Sequence, residues 1–381
     1  MNKNTFLVLA LVYLSFIALG LPDGAFGVAW PGIRYEMSLP LGRAGIVMIV
    51  HSVFYSLASS QLGRISRKIK LEHIGLLGLG IMSLGFFGYV ISPGFILLIA
   101  AVAVTGGGMG MVDSSFNSYM AKNFTSRYMN WLHCFWGLGA ALSPLIIARM
   151  IMVSGWRAGY AVLAAFHAVT ALIVLVSMFK KVFAREEGAL QAKEKPKGGP
   201  LFKKRHQFLV VFICFIYIGV EHALGFWITS VMMESRGMSH DRAALFPAVY
   251  FAMVMAGRFI AGYLAKWVRD RDVIRFGLAL SLVGVAVLVI SDNILGMALA
   301  GLGLAPIFPC VINETSNRFA PHVTTKLVGY EIASIGAGVA IISNAMGQLL
   351  TFVSLEALFP ASLALITAAF VFYEILITKS S

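Results

Sequence analysis

Asp23 and Glu221 are carboxylates set in runs that are otherwise apolar, "ALGLPDGAFGVAW" and "FIYIGVEHALGFW". Each is followed four residues on by a glycine, Gly27 and Gly225, and further on by a tryptophan, Trp30 and Trp227. A charged side chain at membrane depth costs at least ~2.5–3.5 kcal/mol, so a chain keeps one where it meets a polar cavity or a partner. A carboxyl group removed from water holds its proton more readily, which is the chemistry a proton-coupled carrier needs. The two acids are therefore read as proton-coupling residues. For Asp23 the plainer reading is a helix-breaking Pro22-Asp23 pair close enough to the outer interface to reach water.

Other polar groups lie in comparable surroundings. Asp113 and Asn117 are four residues apart and share one helix face, and His133 and Trp136, three apart, put a switchable donor beside an aromatic plate. With Trp30, Trp227, Asn313 and Asn344 they are the candidate substrate contacts, although hydrogen bonding between helices explains the amides about as well. Arg258, Glu314 and Glu331 fall near the expected cytoplasmic ends of their helices, where a salt-bridge network could latch a gate. No His/Cys spacing offers a metal site and no Gly-x-Ser-x-Gly setting offers a nucleophile, so neither a metal, a cofactor nor a catalytic residue is expected.

The elements that must position these groups are membrane helices. The chain has 381 residues, 59% of them hydrophobic and 12% charged, with a mean hydropathy of +0.84. A soluble protein of this size could not cover that much apolar surface. Apolar runs of about twenty residues predict spans near 5–33, 41–62, 72–92, 94–121, 130–153, 156–179, 207–234, 243–267, 272–291, 293–318, 325–353 and 356–377. Stretches such as "LVVFICFIYIGV" are continuously apolar and lack the alternation of a β-barrel strand. The opening run continues to Trp30 without a small-residue cleavage site, so it reads as a retained first helix. Cys134, Cys214 and Cys310 fall inside predicted spans and give no disulfide framework.

Lys and Arg crowd the loops on one side of these spans, from Lys3 through Arg64, Arg67, Lys68 and Lys70 to Lys203, Lys204, Arg205, Arg269 and Arg271. The other side receives only Arg34, Arg43, Arg149, Arg157, Arg236 and Arg242, which predicts both termini in the cytoplasm of a multi-pass protein of the prokaryotic plasma membrane. The net charge of +13 is then mostly topology, and nucleic acid is not an expected partner. The expected partners are the lipid bilayer, a small-molecule substrate and protons, with the chain as a monomer.

A basic stretch over 180–206, with Pro196, Gly198, Gly199 and Pro200, reads as a cytoplasmic linker between a six-helix bundle at 1–179 and another at 207–381. The halves match internally. "SQLGRISRKIKLEHIG" from Ser60 aligns without a gap with "GYLAKWVRDRDVIRFG" from Gly262, pairing Arg64 with Lys266 and Arg67 with Arg269. Parallel repeats of this kind carry a solute site near the mid-plane.

Twelve spans, a basic central loop and a repeated basic loop resemble the major facilitator superfamily over essentially the whole chain. Five strings are similar to its fucose-permease-like branch: "GxxDxxxGxxWP" around Asp23, "GxGxxDxxxN" from Gly108 to Asn117, "HCFWGLGAALSPL", "YIGVEHALGFW" and "GLGLAPIFP". That branch includes proton-linked sugar symporters. The resemblance implies that Asp23 and Glu221 face a central cavity surrounded by Asn117, His133, Trp136 and Trp227. One departure is plain: Arg64 and Lys266 stand where the superfamily's loop usually carries an acid, so Glu331 or Glu314 is expected to supply it.

The sequence thus reads as an all-α secondary active transporter with six plus six helices. It is expected to move a small polar, sugar-like solute by proton-coupled alternating access. The rival reading is export of amphipathic drugs by proton antiport, with the 18 Met and 28 Phe forming an adaptable pocket. A membrane enzyme or receptor would need a catalytic constellation or a sizeable soluble domain, and neither is apparent.

Overall fold

The structure, a computed structural model, describes residues 3–124, 126–180, 182–183, 204–264, 267–318 and 321–378. The linker expected at 180–206 therefore lies almost wholly outside the described residues. The described residues form helices and turns, with no strand among them. In order these are α1 (Lys3–Glu36), α2 (Ala44–Ile65), α3 (Leu71–Ile91), α4 (Phe95–Asn123), α5 (Ser126–Ser154) and α6 (Trp156–Phe179). They continue with α7 (Lys204–Glu234), α8 (His240–Leu264), α9 (Asp270–Ile290), α10 (Leu295–Leu304), α11 (Ile307–Arg318), α12 (Pro321–Phe352) and α13 (Leu358–Thr378).

Among the described residues, twelve helical segments are long and apolar enough to cross a membrane, matching the twelve expected spans. The tenth expected span is the exception in detail, because it is two helices, α10 and α11. Pro306 lies at the break, and proline has no backbone N–H with which to continue the ladder.

The chain separates into two compact units: Met1–Leu39 with Val50–Ala192, and Pro40–Ile49 with Lys193–Ser381. Residues 40–49 thus sort with the second unit and not with the first six helices. Gly42 lies against Thr351 and Gln348 of α12, and Gly45 against Asn344, all of them members of that second unit.

Inside the first unit α1 packs on α5, and α3 packs on α4 and α6; inside the second α7 packs on α12, and α9 on α10 and α13. The seam between α1 and α5 is a close one. A side chain at Gly20 would collide with the backbone of Trp136, and one at Gly139 with the carbonyl of Ile17. Small residues let helix backbones approach this closely. The close approach brings the residues of α5 within reach of Asp23.

Each unit also carries an arginine clamp at one end. In the first, Arg157 at the start of α6 pairs with Glu36 at the end of α1, donates to the carbonyl of Ser92 (2.8 Å) and covers the Trp156 ring at 4.3 Å. In the second, Arg236 after α7 pairs with Glu356 (2.8 Å) and Asp292 and donates to the carbonyls of Ser291 (3.0 Å) and Leu288 (2.7 Å). The Glu356 carboxylate holds the Arg236 guanidinium above its ordinary pKa, against the opposing effect of partial burial. Both guanidiniums satisfy carbonyls where a helix ends and its own donors run out.

Candidate functional site

In the first unit, four helices contribute to a half-buried polar cluster. Trp136 of α5 donates its indole N–H to Asp23 Oδ2 at 2.8 Å, a contact that depends on the small residues along α1. On α4, Asn117 donates to Asp113 Oδ1 at 2.7 Å, as expected for residues one turn apart. Asp113 also accepts the phenol hydrogen of Tyr55 from α2, and Tyr55 is close enough to Asp23 to interact with it electrostatically. Two acids, an amide, a phenol and an indole thus occupy one region of otherwise apolar helices, none of them fully enclosed. His133, also half-buried, lies one turn from Trp136 with its ring edge-on to Phe16 at 5.9 Å.

The second unit holds its acid differently. Glu221 is 2% exposed, and its Oε1 lies 3.3 Å from Arg258 Nη2 of α8. Its other oxygen accepts from Tyr217, one turn earlier on α7, and its backbone carbonyl accepts from Tyr250 at 3.0 Å. An enclosed carboxylate with a cation and a hydroxyl around it is compensated on both oxygens.

Several expected contacts sit elsewhere. Trp30 and Trp227 are both 0% exposed, so neither offers a free face for stacking. Trp30 stacks on Phe26 at 5.8 Å, while Trp227 packs over Gly347 and donates to the Ser343 carbonyl at 3.1 Å. Trp227 thus joins α7 to α12, its indole filling the gap left by Gly347, while the Trp30 ring packs along its own helix. Asn313 is exposed and donates to Asp270 at the start of α9. Asn344 is half-buried and its amide oxygen faces Gly45.

The expected gating residues are also redistributed. Arg258 is the partner of Glu221, about two turns inside α8, and not a helix-end residue. Glu331 lies about three turns inside α12, which begins at Pro321, and is 0% exposed with Oε1 accepting from Thr315 at 2.6 Å. Its burial does not suit an exposed latch. Glu314 accepts from Tyr373 of α13 at 2.7 Å. Arg64 is exposed and donates to Gln61 at 3.3 Å, while Lys266 lies outside the described residues. In the loop after α8, Arg269 takes its acid locally from Asp272 at 2.8 Å.

The family model of the Major Facilitator Superfamily matches residues 12–343. The chain belongs to this superfamily. Among curated relatives, the glucose/mannose transporter GlcP of Bacillus subtilis (strain 168) is 27% identical over 289 residues, covering 71% of this chain and 70% of that protein. A glucose/galactose transporter of Brucella abortus biovar 1 (strain 9-941) is 21% identical and covers 91% of this chain and 89% of its own. A multidrug efflux pump, SdrM of Staphylococcus aureus (strain N315), is 22% identical over 52% of this chain and 44% of that pump. Among solved structures, an inward-facing, occupied bacterial homologue of the human lysosomal transporter Spinster superposes with a TM-score of 0.78 over 99% of this chain and 98% of its own, at 14% identity. That likeness concerns the fold.

Within the superfamily frame, sequence reasoning missed Tyr55, Tyr217 and Tyr250. Tyr217 was legible, since it stands four residues before Glu221 on one helix face. Tyr55 reaches the Asp113 carboxylate and Tyr250 the backbone carbonyl of Glu221 from other helices, and nothing in their local sequence marks them.

Proposed function

We propose that the protein is a proton-coupled carrier of a small polar, sugar-like solute, working as a monomer in a prokaryotic cytoplasmic membrane with both termini in the cytoplasm. The observation that carries this reading is the half-buried cluster of Asp23, Trp136, Asp113, Asn117 and Tyr55. It combines hydrogen-bonding groups suited to hydroxyls with an aromatic ring suited to the apolar face of a sugar. The similarity to glucose/mannose and glucose/galactose transporters supports a hexose as the first solute to try. Efflux of amphipathic compounds rests on a relative matched over about half of either chain and is the second reading.

In this scheme Asp23 and Glu221 exchange protons with the two compartments, and Asp113 with Asn117, Trp136 and His133 contact the solute. Neither Trp30 nor Trp227 is included, given their burial. The experiment is uptake of labelled glucose, galactose and mannose into proteoliposomes with an imposed inward proton gradient. Concentrative uptake abolished by a protonophore is expected. Facilitated entry insensitive to the gradient would remove the proton, and gradient-driven extrusion of a cationic dye with no hexose uptake would favour efflux.

A further inference from the structure

Pro22 stands within α1, immediately before Asp23, and its ring nitrogen carries no hydrogen. The carbonyl of Ala18, four residues earlier, consequently lacks the donor that the helical ladder would give it. An unserved carbonyl inside a membrane span must find its partner elsewhere in the protein. The imidazole of His167, on α6, is 0% exposed and places Nε2 3.0 Å from that oxygen. Its Nδ1 lies 2.7 Å from the carbonyl of Leu163 on its own helix. A carbonyl can only accept, so the ring must donate from Nε2 to serve Ala18. The Leu163 carbonyl already has a helical donor in the backbone N–H of His167, so of the two carbonyls facing the ring it is Ala18 that depends on an imidazole hydrogen, carried at Nε2 alone or on both nitrogens of the protonated ring. Phe86 packs against the imidazole at 5.0 Å and holds its plane.

We infer that His167 is a positioning residue for Asp23. It supplies the hydrogen bond that Pro22 withholds and thereby fixes the turn of α1 that presents the carboxylate to Trp136. The sequence already contains both parts of the arrangement, a proline beside the acid and a lone histidine far along the chain, but only the fold joins them. The inference rests on the reading of Asp23 as a transport residue. It is specific, because one substitution removes the external donor and another restores an internal one. In Pro22→Ala the new backbone N–H can serve Ala18 without help from α6.

The test compares wild type, His167→Leu, His167→Gln, Pro22→Ala and the His167→Leu/Pro22→Ala double variant in proteoliposomes. Two quantities are read: the rate at which a hydrophobic carbodiimide modifies Asp23, by peptide mass spectrometry, and kcat/KM for proton-driven hexose uptake. His167→Leu is expected to change the modification rate at least fivefold and to lower kcat/KM at least tenfold. His167→Gln, which keeps an N–H donor, should stay within threefold of wild type. The double variant should recover most of both losses relative to His167→Leu. Wild-type labelling in His167→Leu, or a double variant no better than His167→Leu, overturns the inference. So does a double variant that fails to fold along with His167→Leu, whereas folding restored by Pro22→Ala supports it. If labelling follows the expected pattern while even the wild type moves no hexose, the positioning role stands and the solute assignment falls.

Discussion

Glu36 and Arg236 close the matching ends of α1 and α7 with opposite charges. Glu36 receives Arg157 from the start of α6, and Arg236 receives Glu356 from the turn that precedes α13. In both units the arginine of the pair, whichever helix supplies it, donates to the carbonyl of a serine that ends the third or ninth span, Ser92 or Ser291. The duplicated fold has kept the geometry of the clamp while exchanging which helix brings the cation.

The exchange predicts that the clamp is tolerant of charge reversal as a pair and intolerant of loss. Hydrogen bonds to a charged group contribute about 1.5–3 kcal/mol when sheltered, and far less when solvent screens them. Arg236 is 12% exposed and Arg157 31%, so Arg236→Ala is expected to lower the melting temperature more than Arg157→Ala. Glu36→Arg with Arg157→Glu should recover more than half of the loss seen in either single reversal, as measured by thermal unfolding in detergent. Losses that simply add in the double variant would mean that the pair is not coupled.

Glu221 and Arg258 give the second prediction. Removing one partner of an enclosed ion pair strands the other and costs roughly 3–5 kcal/mol, whereas removing both costs much less. Arg258→Leu should therefore destabilise strongly, and Arg258→Leu with Glu221→Leu should regain much of that stability without regaining proton-driven accumulation. Full accumulation in the double variant would exclude both residues from coupling. Tyr217→Phe, which removes only the hydroxyl at the second oxygen, is expected to have a smaller effect of about 1 kcal/mol.

The tryptophans show where the sequence was legible and where it was not. Spans, repeat and acids could be read because hydropathy, charge and spacing are local properties of the chain. Whether a ring faces a cavity or a neighbouring helix depends on the residue opposite, and for Trp227 that residue is Gly347, 120 positions later (347 − 227). The same holds for Glu331, whose surroundings changed from helix end to interior because α12 starts at Pro321, before the expected span at 325. Asp113 and Asn117 were legible because one helix carries both, and Tyr55 was not, because it arrives from another.

The Trp227 position yields a third prediction. Trp227→Phe shrinks a wholly buried ring and loses the bond to Ser343, so a destabilisation of about 2–4 kcal/mol is expected with KM for the solute within twofold of wild type. A rise in KM of tenfold or more with an unchanged melting temperature would return Trp227 to the substrate site.

Trp136 is the ring for which the opposite outcome is expected, because it is only half-buried and its N–H holds Asp23. Its two attributes can be separated by two substitutions. Trp136→Phe keeps an aromatic face but removes the donor, so solute KM should change by less than about threefold while accumulation driven by the proton gradient falls. Trp136→Leu removes the face as well and should weaken solute binding by roughly 1–3 kcal/mol, about 5- to 150-fold in KM where KM reports affinity. Asp23→Asn supplies the reference, since it neutralises the acid that Trp136 serves and should abolish accumulation while leaving exchange between equilibrated compartments. Equal losses of exchange in Trp136→Phe, Trp136→Leu and Asp23→Asn would show that the pair maintains the α1–α5 seam, with no separate role in solute contact or proton exchange.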